Sequence, residues 1–198
     1  MGASMNEPAK RDPCCQGVER ESPTDAEIKS VARQDRRRAF DMLVRTYRDR
    51  LFRHALYMLK DPEEAFEATQ DTLMKAYVEP ALFEPAFKIK PWLFRVITNL
   101  CYNMSRDKRR RKGILRTLAR PRSEPSLALD EIIRAETRAS VESALGRVPE
   151  KYRSILLLKY YDDLSYVEIS QVLGCKLGTV MSRLSRARDK LQACMKAE

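Results

Sequence analysis

A single histidine, a single tryptophan and only six glycines in 198 residues are the first facts about this chain, and each closes off a class of protein. With His54 standing alone on a predicted helix, a histidine-based metal site or catalytic relay has little to build on. The five cysteines, Cys14, Cys15, Cys101, Cys175 and Cys194, are odd in number and include no C-x-x-C pair. That argues against a disulfide framework or a zinc site. Cys101 and Cys175 read as small core or turn residues, and Cys14 and Cys15 as reduced thiols in a polar tail, with a redox or metal handle the minor reading there. No apolar run approaches the ~18 residues a membrane span needs, and no charged-then-apolar leader opens the chain, so a cytoplasmic protein without membrane insertion is expected. Scarce glycine, 8% aromatic residues and long stretches of helical periodicity without strand-like alternation predict an all-α fold.

Glycine-rich phosphate loops are missing too, and the nearest clustered carboxylates, Glu63, Glu64 and Glu67, lie on one predicted helix with no histidine beside them. An enzyme acting on nucleic acid is therefore disfavoured, and the expected catalytic residues, metal ligands and cofactors are none. What the chain does have is positive charge, +10 net, unevenly spread. Residues 95–122 carry ten basic side chains against one acidic, whereas residues 61–80 carry six acidic against one lysine. The basic excess favours an anionic partner. The acidic interruption points to a second, protein-facing surface.

The strongest local pattern lies near the C-terminus. Ser165 with Glu168 three residues on is a capping box that starts a helix, Ile169, Val172 and Leu173 share its inner face, and Gly174 closes it. A second helix comes next, with Leu177, Val180, Leu184, Ala187 and Leu191 predicted inward and Thr179, Ser182, Arg183, Arg186 and Lys190 outward. This is a helix-turn-helix whose outer face suits a major groove, where arginine grips guanine and hydroxyls and lysine take phosphates. The alternative is a solvated basic face on an ordinary helical hairpin, which explains neither the cap nor the turn glycine.

Upstream, residues 1–22 lack periodicity and read as a disordered extension. Thr24 and Glu27 cap a first helix with Ile28 and Val31 in its apolar stripe. A longer helix carries Phe40, Leu43, Val44, Tyr47, Leu51, Phe52, Ala55, Leu56 and Leu59, and ends at Asp61-Pro62. The next, from about Glu63 to Tyr77, has Ala65, Ala68, Thr69, Thr72, Leu73 and Ala76 inward and Glu64, Glu67, Gln70, Asp71 and Lys75 outward. Three prolines make residues 79–91 a loop, with Phe83 and Phe87 beside Lys88 and Lys90. Rings and cations around a loop are what single-stranded DNA binding needs, because rings stack on bases and cations track phosphates. Pro91 is expected to open a helix through Trp92, Leu93, Val96, Ile97, Leu100 and Met104, with Arg95, Asn99, Asn103 and Arg106 on its other side and a basic run to Lys112. Residues 113–128 read as a linker in which Leu115 and Leu118 form a brief turn. A helix from about Leu129 closed by Gly146, and one opened by Pro149 carrying Tyr152, Ile155, Leu156 and Tyr160, complete a four-helix unit.

Four blocks then resemble the extracytoplasmic-function (ECF) group of bacterial RNA polymerase sigma factors, in order and spacing. They are Thr24 to Tyr47, Gln70 to Tyr77, Trp92 to Asn99, and Val148 to Arg153 with Leu164 to Leu191. The resemblance implies two small helical domains: sigma region 2 at 23–112 and region 4 at 129–198, joined by the 113–128 linker. It implies that Glu67, Gln70, Asp71 and Lys75 bind core RNA polymerase. It implies minus-10 contacts from Phe83, Phe87, Lys88, Lys90, Trp92, Arg95, Asn99, Arg106, Arg109 and Arg110, with a base flipped from the non-template strand captured by the loop. It further implies duplex minus-35 contacts from Lys176, Thr179, Met181, Ser182, Arg183, Ser185, Arg186 and Lys190, and an anti-sigma partner. Met181 and Ser185 stand where relatives often carry a basic and a larger residue, Ile89 and Pro91 where an aromatic and a threonine are common, and Asp71 replaces the commoner glutamate. The rival reading is a free-standing helix-turn-helix regulator using residues 129–198 alone.

Overall fold

The computed structural model describes residues 23–114, 141 and 143–196, and every regular element among them is helical. In chain order these are α1 (Asp25–Ala32), α2 (Arg36–Leu59), α3 (Pro62–Val78), α4 (Ile89–Ile114), α5 (Glu150–Leu156), α6 (Tyr166–Leu173) and α7 (Leu177–Lys196). The N-terminal extension with Cys14 and Cys15, most of the expected linker including Leu115 and Leu118, and the start of the helix expected from Leu129 lie outside the described residues.

The helix starts are written in short polar side chains. Thr24 accepts from the Glu27 amide while its own amide donates to the Glu27 carboxylate at 2.7 Å. Asp35 accepts from Arg38 N at 2.9 Å, and Asp61 accepts from the amides of Glu63 and Glu64, with Pro62 in the first position of α3. Each cap satisfies donors that a helix start otherwise leaves free. Three local expectations shift. Helix α4 begins at Ile89, two residues before Pro91, which sits in the first turn where its missing N–H leaves nothing unpaired. It also runs on through Gly113 and Ile114, the first residues of the expected linker. Gly146 lies within helical residues 143–147 and does not close them by a left-handed turn; among the described glycines only Gly174 has positive φ.

After α5 the backbone widens into a π-helical turn, Leu157–Tyr161. The extra residue per turn rotates the side chains beyond it, so Tyr160 points to solvent and Tyr161 is the ring turned inward, edge-on to Tyr57.

Helices α1 to α4 enclose Ile28, Leu43, Leu51, Leu93, Phe94 and Ile97, all fully buried. The inner face of α3 is built from Ala65, Ala68, Thr69, Thr72, Leu73 and Ala76, as the periodicity predicted. Its small side chains let α2 and α4 pack closely against it, and the two threonine hydroxyls donate to the carbonyls of Ala65 and Ala68. Cys101 is buried in this core, which pushes its thiol up to about 12 and leaves it an inert, protonated small residue.

The C-terminal helices do not stand apart. Helix α4 packs against α6 and α2 against α5, and one apolar cluster runs through both groups. The joint is polar at its centre. Arg153, buried, spends all five N–H donors on carbonyl oxygens: Leu145, Gly146 and Val148 on its own side, Tyr57 and Met58 at the end of α2 on the other. Those carbonyls belong to helix ends, whose partial negative charge suits a cation. Burial lowers the pKa of Arg153, and the charge of Arg109 adds to this. Beside it His54 Nδ1 lies 2.6 Å from Asp162 Oδ2 and its Nε2 lies 3.1 Å from Thr98 Oγ1, all three residues buried. Arg50 donates to the Asp162 carbonyl at 2.8 Å, and Tyr102 and Ser154 share a hydroxyl pair at 2.6 Å.

Lysine offers three donors in place of five, so Arg153→Lys gives up at least two of these five hydrogen bonds. The expected loss is ~1–3 kcal/mol of folding stability, measured by urea unfolding; an unchanged midpoint would contradict the structural weight given to this side chain.

Candidate nucleic-acid and polymerase interfaces

The helix-turn-helix is assembled as its residues dictate. Ser165 N donates to the Glu168 carboxylate at 2.8 Å and Ser165 Oγ accepts from Glu168 N at 3.2 Å, which fixes the start of α6. Gly174 closes it at φ 60°. Val180, Leu184 and Ala187 of α7 are buried against the unit, and Lys176, Thr179, Ser182, Ser185 and Arg186 are exposed around the opposite side. Leu177, predicted inward, is the first residue of α7 and is 45% exposed. Met181, also more than half exposed, lies on the same flank. Arg183 is half-buried on the flank facing α4, and Lys190 holds its ammonium 5.6 Å above the Tyr152 ring. These two cations are therefore anchored to their own protein.

In the second surface, Arg95, Asn99, Asn103, Arg106 and Arg110 recur at three- and four-residue spacing along the exposed face of α4, and Arg106 donates to Asn103 Oδ1. The preceding loop is pinned by buried Leu82 and Ile89, two anchors the proline-based reading of this segment missed. Lys29 ties it to α1 by donating to the carbonyls of Pro85 and Phe87. Phe87 packs against Trp92, ring centroids 5.7 Å apart, and Phe83 lies under the Arg36 guanidinium at 5.3 Å. The rings are thus half-buried walls with fixed orientation, while Lys88 is exposed at the rim. Lys90 is drawn the other way, donating to the Asp163 carbonyl at 2.8 Å; burial, then the neighbouring Arg50, lowers the pKa of its amine. Arg109 pairs with Glu150 at the start of α5.

The third surface is the outer side of α3. Glu67, Gln70, Asp71 and Lys75 are exposed there together, and among them stand Phe66 at 60% and Met74 at 63% exposure. Large apolar side chains left in water beside acidic groups have the composition of a protein-docking surface. Phe66, Gln70 and Met74 sit four residues apart, the spacing that could have revealed this half of the surface from sequence. Among the described residues no group of three or more His, Cys, Asp or Glu is arranged to hold a metal, and no helix is long and apolar enough to cross a membrane.

A helix-turn-helix unit, a second cationic helix with an aromatic loop, and a separate acidic and apolar face define a DNA-binding protein that also docks on another protein. Comparison with known families gives the class its name. The family profile for Sigma-70 region 2 matches residues 43–111, and that for Sigma-70, region 4 matches residues 138–191. The ECF RNA polymerase sigma factor SigW of Bacillus subtilis (strain 168) is 29% identical over 174 residues, spanning 83% of this chain and 92% of that protein. The ECF sigma factor SigL of Mycobacterium tuberculosis (Erdman) is 31% identical over 138 residues, 69% of this chain and 77% of SigL. Among solved structures, the sigma factor RpoE of Bartonella quintana in complex with the anti-sigma factor NepR superposes with a TM-score of 0.62 at 27% identity, covering 80% of this chain and 98% of RpoE. CnrH in complex with the cytosolic domain of CnrY gives 0.63 at 25% identity, covering 88% and 98%. The chain belongs to the sigma-70 family, in its ECF group: it is a transcription initiation factor that binds core RNA polymerase and directs it to promoters, and not an enzyme. The free-standing regulator reading is not favoured, since the match to region 2 covers helices that reading leaves without a role.

At Gly174 no neighbouring atom lies within 4 Å of where a Cβ would stand, so a substitution there meets only backbone strain. Gly174→Ala should cost ~1–2 kcal/mol, with Gly174→Asn costing less, read by thermal unfolding. Equal losses for both variants would show that packing, not the left-handed turn, sets the requirement.

Proposed function

We propose that the three surfaces divide the work of initiation between polymerase, single-stranded DNA and duplex DNA. Residues 23–112 act as region 2, 129–198 as region 4, and 113–128 as the linker that lets them reach separate DNA elements. The face of α3 carrying Glu67, Gln70, Asp71 and Lys75 docks on core RNA polymerase, with Phe66 and Met74 supplying its apolar part. The loop from Phe83 to Lys90, with Trp92, Arg95 and Asn99, receives the single-stranded minus-10 element. A base extruded into such a pocket recovers the few kcal/mol lost in unstacking, so melting is the differential binding of single strand over duplex. Arg106, Arg109 and Arg110 then track the adjoining phosphates. On the duplex minus-35 element, Arg186 and Arg183 read or clamp, Lys176, Thr179, Ser182, Ser185 and Lys190 hold phosphates, and Met181 offers an apolar contact.

The observation that carries this reading is the pairing of one acidic, apolar-studded helix face with two cationic helix faces in a single basic chain. Because the solved relatives are bound to anti-sigma proteins, an anti-sigma partner is proposed for this chain as well, and the cytoplasm, where polymerase works, as its location.

Asp71→Lys reverses charge at an exposed position, so it should weaken polymerase binding in a pull-down while leaving the circular dichroism unchanged; full binding would remove Asp71 from the docking face. Arg186→Ala should weaken promoter binding by ~1–3 kcal/mol and relax the preference at one minus-35 position if it reads a base. A uniform loss across sequences would make it a phosphate contact.

A further inference from the structure

The segment from Phe83 to Lys90 is held in place by α1, a helix that belongs to none of the three surfaces. The segment's own backbone bonds are short turns, Glu84 N to the Ala81 carbonyl at 2.8 Å and Phe87 N to the Glu84 carbonyl at 3.1 Å, and Pro85 has no amide to give. Helix α1 grips it at two points. Lys29, half-buried, donates to the carbonyls of Pro85 and Phe87, the first at 3.1 Å. One turn earlier on the same face, Asp25 Oδ2 accepts from the Lys90 amide at 3.2 Å. That amide lies in the first turn of α4, where backbone donors have no partner inside the helix and a carboxylate suits the helix dipole. The other oxygen, Asp25 Oδ1, accepts from the Tyr47 hydroxyl at 2.6 Å; burial first, and then this bond, raises the pKa of the phenol and keeps it a donor. Ile28, next to Lys29, is fully buried and fixes α1 to the core.

Resting on the reading of this loop as the receptor of a flipped minus-10 base, we propose that Asp25 and Lys29 are positioning residues for base capture, a two-point clamp by which α1 sets the pocket before DNA arrives. Lys29 fixes the backbone on both sides of Ala86, and with it the wall that Phe87 makes against Trp92. Asp25 fixes the first turn of α4, and with it where Trp92, Arg95 and Asn99 stand relative to that wall. Both clamp residues line one cleft with Pro85, Phe87 and Pro91. Each side chain is committed to protein partners, so the two act on the base only through the loop and the helix start. A pocket ordered in advance loses little conformational entropy when the base enters, whereas a loose loop would cancel part of the binding that offsets unstacking.

The test is a cycle that pairs protein changes with DNA changes, made with the full chain assembled on core RNA polymerase. The probe is a promoter duplex selected by protein-dependent transcription from a randomised library, pre-melted at the minus-10 element and carrying an abasic site at each non-template position in turn. With the wild-type chain, removing the base at one position should weaken binding by about tenfold or more, the scale of one stacked base. Lys29→Met keeps the length of the side chain and removes its donors; it should bind the intact probe more weakly by a similar factor and be almost indifferent to the abasic site. Lys29→Arg keeps a cation with donors and should restore the penalty. Asp25→Asn repeats the measurement at the other grip, and circular dichroism with thermal unfolding verifies the fold, so one folded variant is enough to decide. Full retention of the base-dependent penalty in folded Lys29→Met or Asp25→Asn overturns the clamp. So does equal weakening of the intact and abasic probes, the mark of a merely structural loss, or a failure of Lys29→Arg to restore the penalty. No penalty at any position with the wild-type chain strikes the base-capture reading itself, which keeps the two failures apart.

Discussion

A buried guanidinium holds the molecule together at its waist. Among the described residues Arg153 pairs with no carboxylate, and the cost of removing its charge from water is offset by carbonyls from the ends of two helices, one in each half of the chain. All five donors are used, so the arrangement tolerates little displacement. This contact ties α5 and the turn before it to the end of α2, alongside the packing of α6 on α4 and the His54–Asp162 pair. Apolar packing continues across the joint, with Leu157, Leu158 and Leu164 fully or nearly fully buried. It is the polar centre that sets the register, because apolar surfaces are non-directional whereas hydrogen bonds are not.

Within each helix the sequence was a good guide, because the signals are local. Thr24, Asp61 and Ser165 lie beside the amides they cap, and the inner face of α3 was legible as a three- and four-residue rhythm. The candidate DNA face of α7 was legible in the same way, apart from Leu177. The features that could not be read involve residues distant in sequence. His54 and Asp162 are 108 positions apart, and Arg153 and Met58 are 95 apart; nothing in either neighbourhood announces the other. The π-helical turn was equally hidden, since one extra residue per turn leaves no mark on composition, and it turned Tyr160, expected on the inner face, out to solvent. Buried Leu82 and Ile89 show a third limit: the prolines correctly excluded one continuous helix over 79–91, yet hid how firmly that loop is anchored.

The uneven charge of the chain is explained by its membership of the sigma-70 family. A protein that only bound DNA would gain from being basic throughout, whereas one that must also sit on polymerase needs a face that DNA does not compete for. In the proposed division of work helix α3 provides it, turning six small or apolar residues inward and leaving acids and the large apolar side chains of Phe66, Met74, Tyr77 and Val78 outward. On the same proposed reading the cations of α4 and α7 draw DNA to the other surfaces, since electrostatic attraction brings phosphate close before any base is read.

The central claim is that one chain reads two separated DNA elements through two helical modules while bound to polymerase. The most direct measurement is run-off transcription with purified core RNA polymerase over a library of randomised promoters, with and without this protein. The expected result is protein-dependent transcripts that start a fixed distance downstream of a shared two-part motif, with both parts required. Transcripts that depend on one part alone, or none despite sequence-specific duplex binding by the chain, would contradict it.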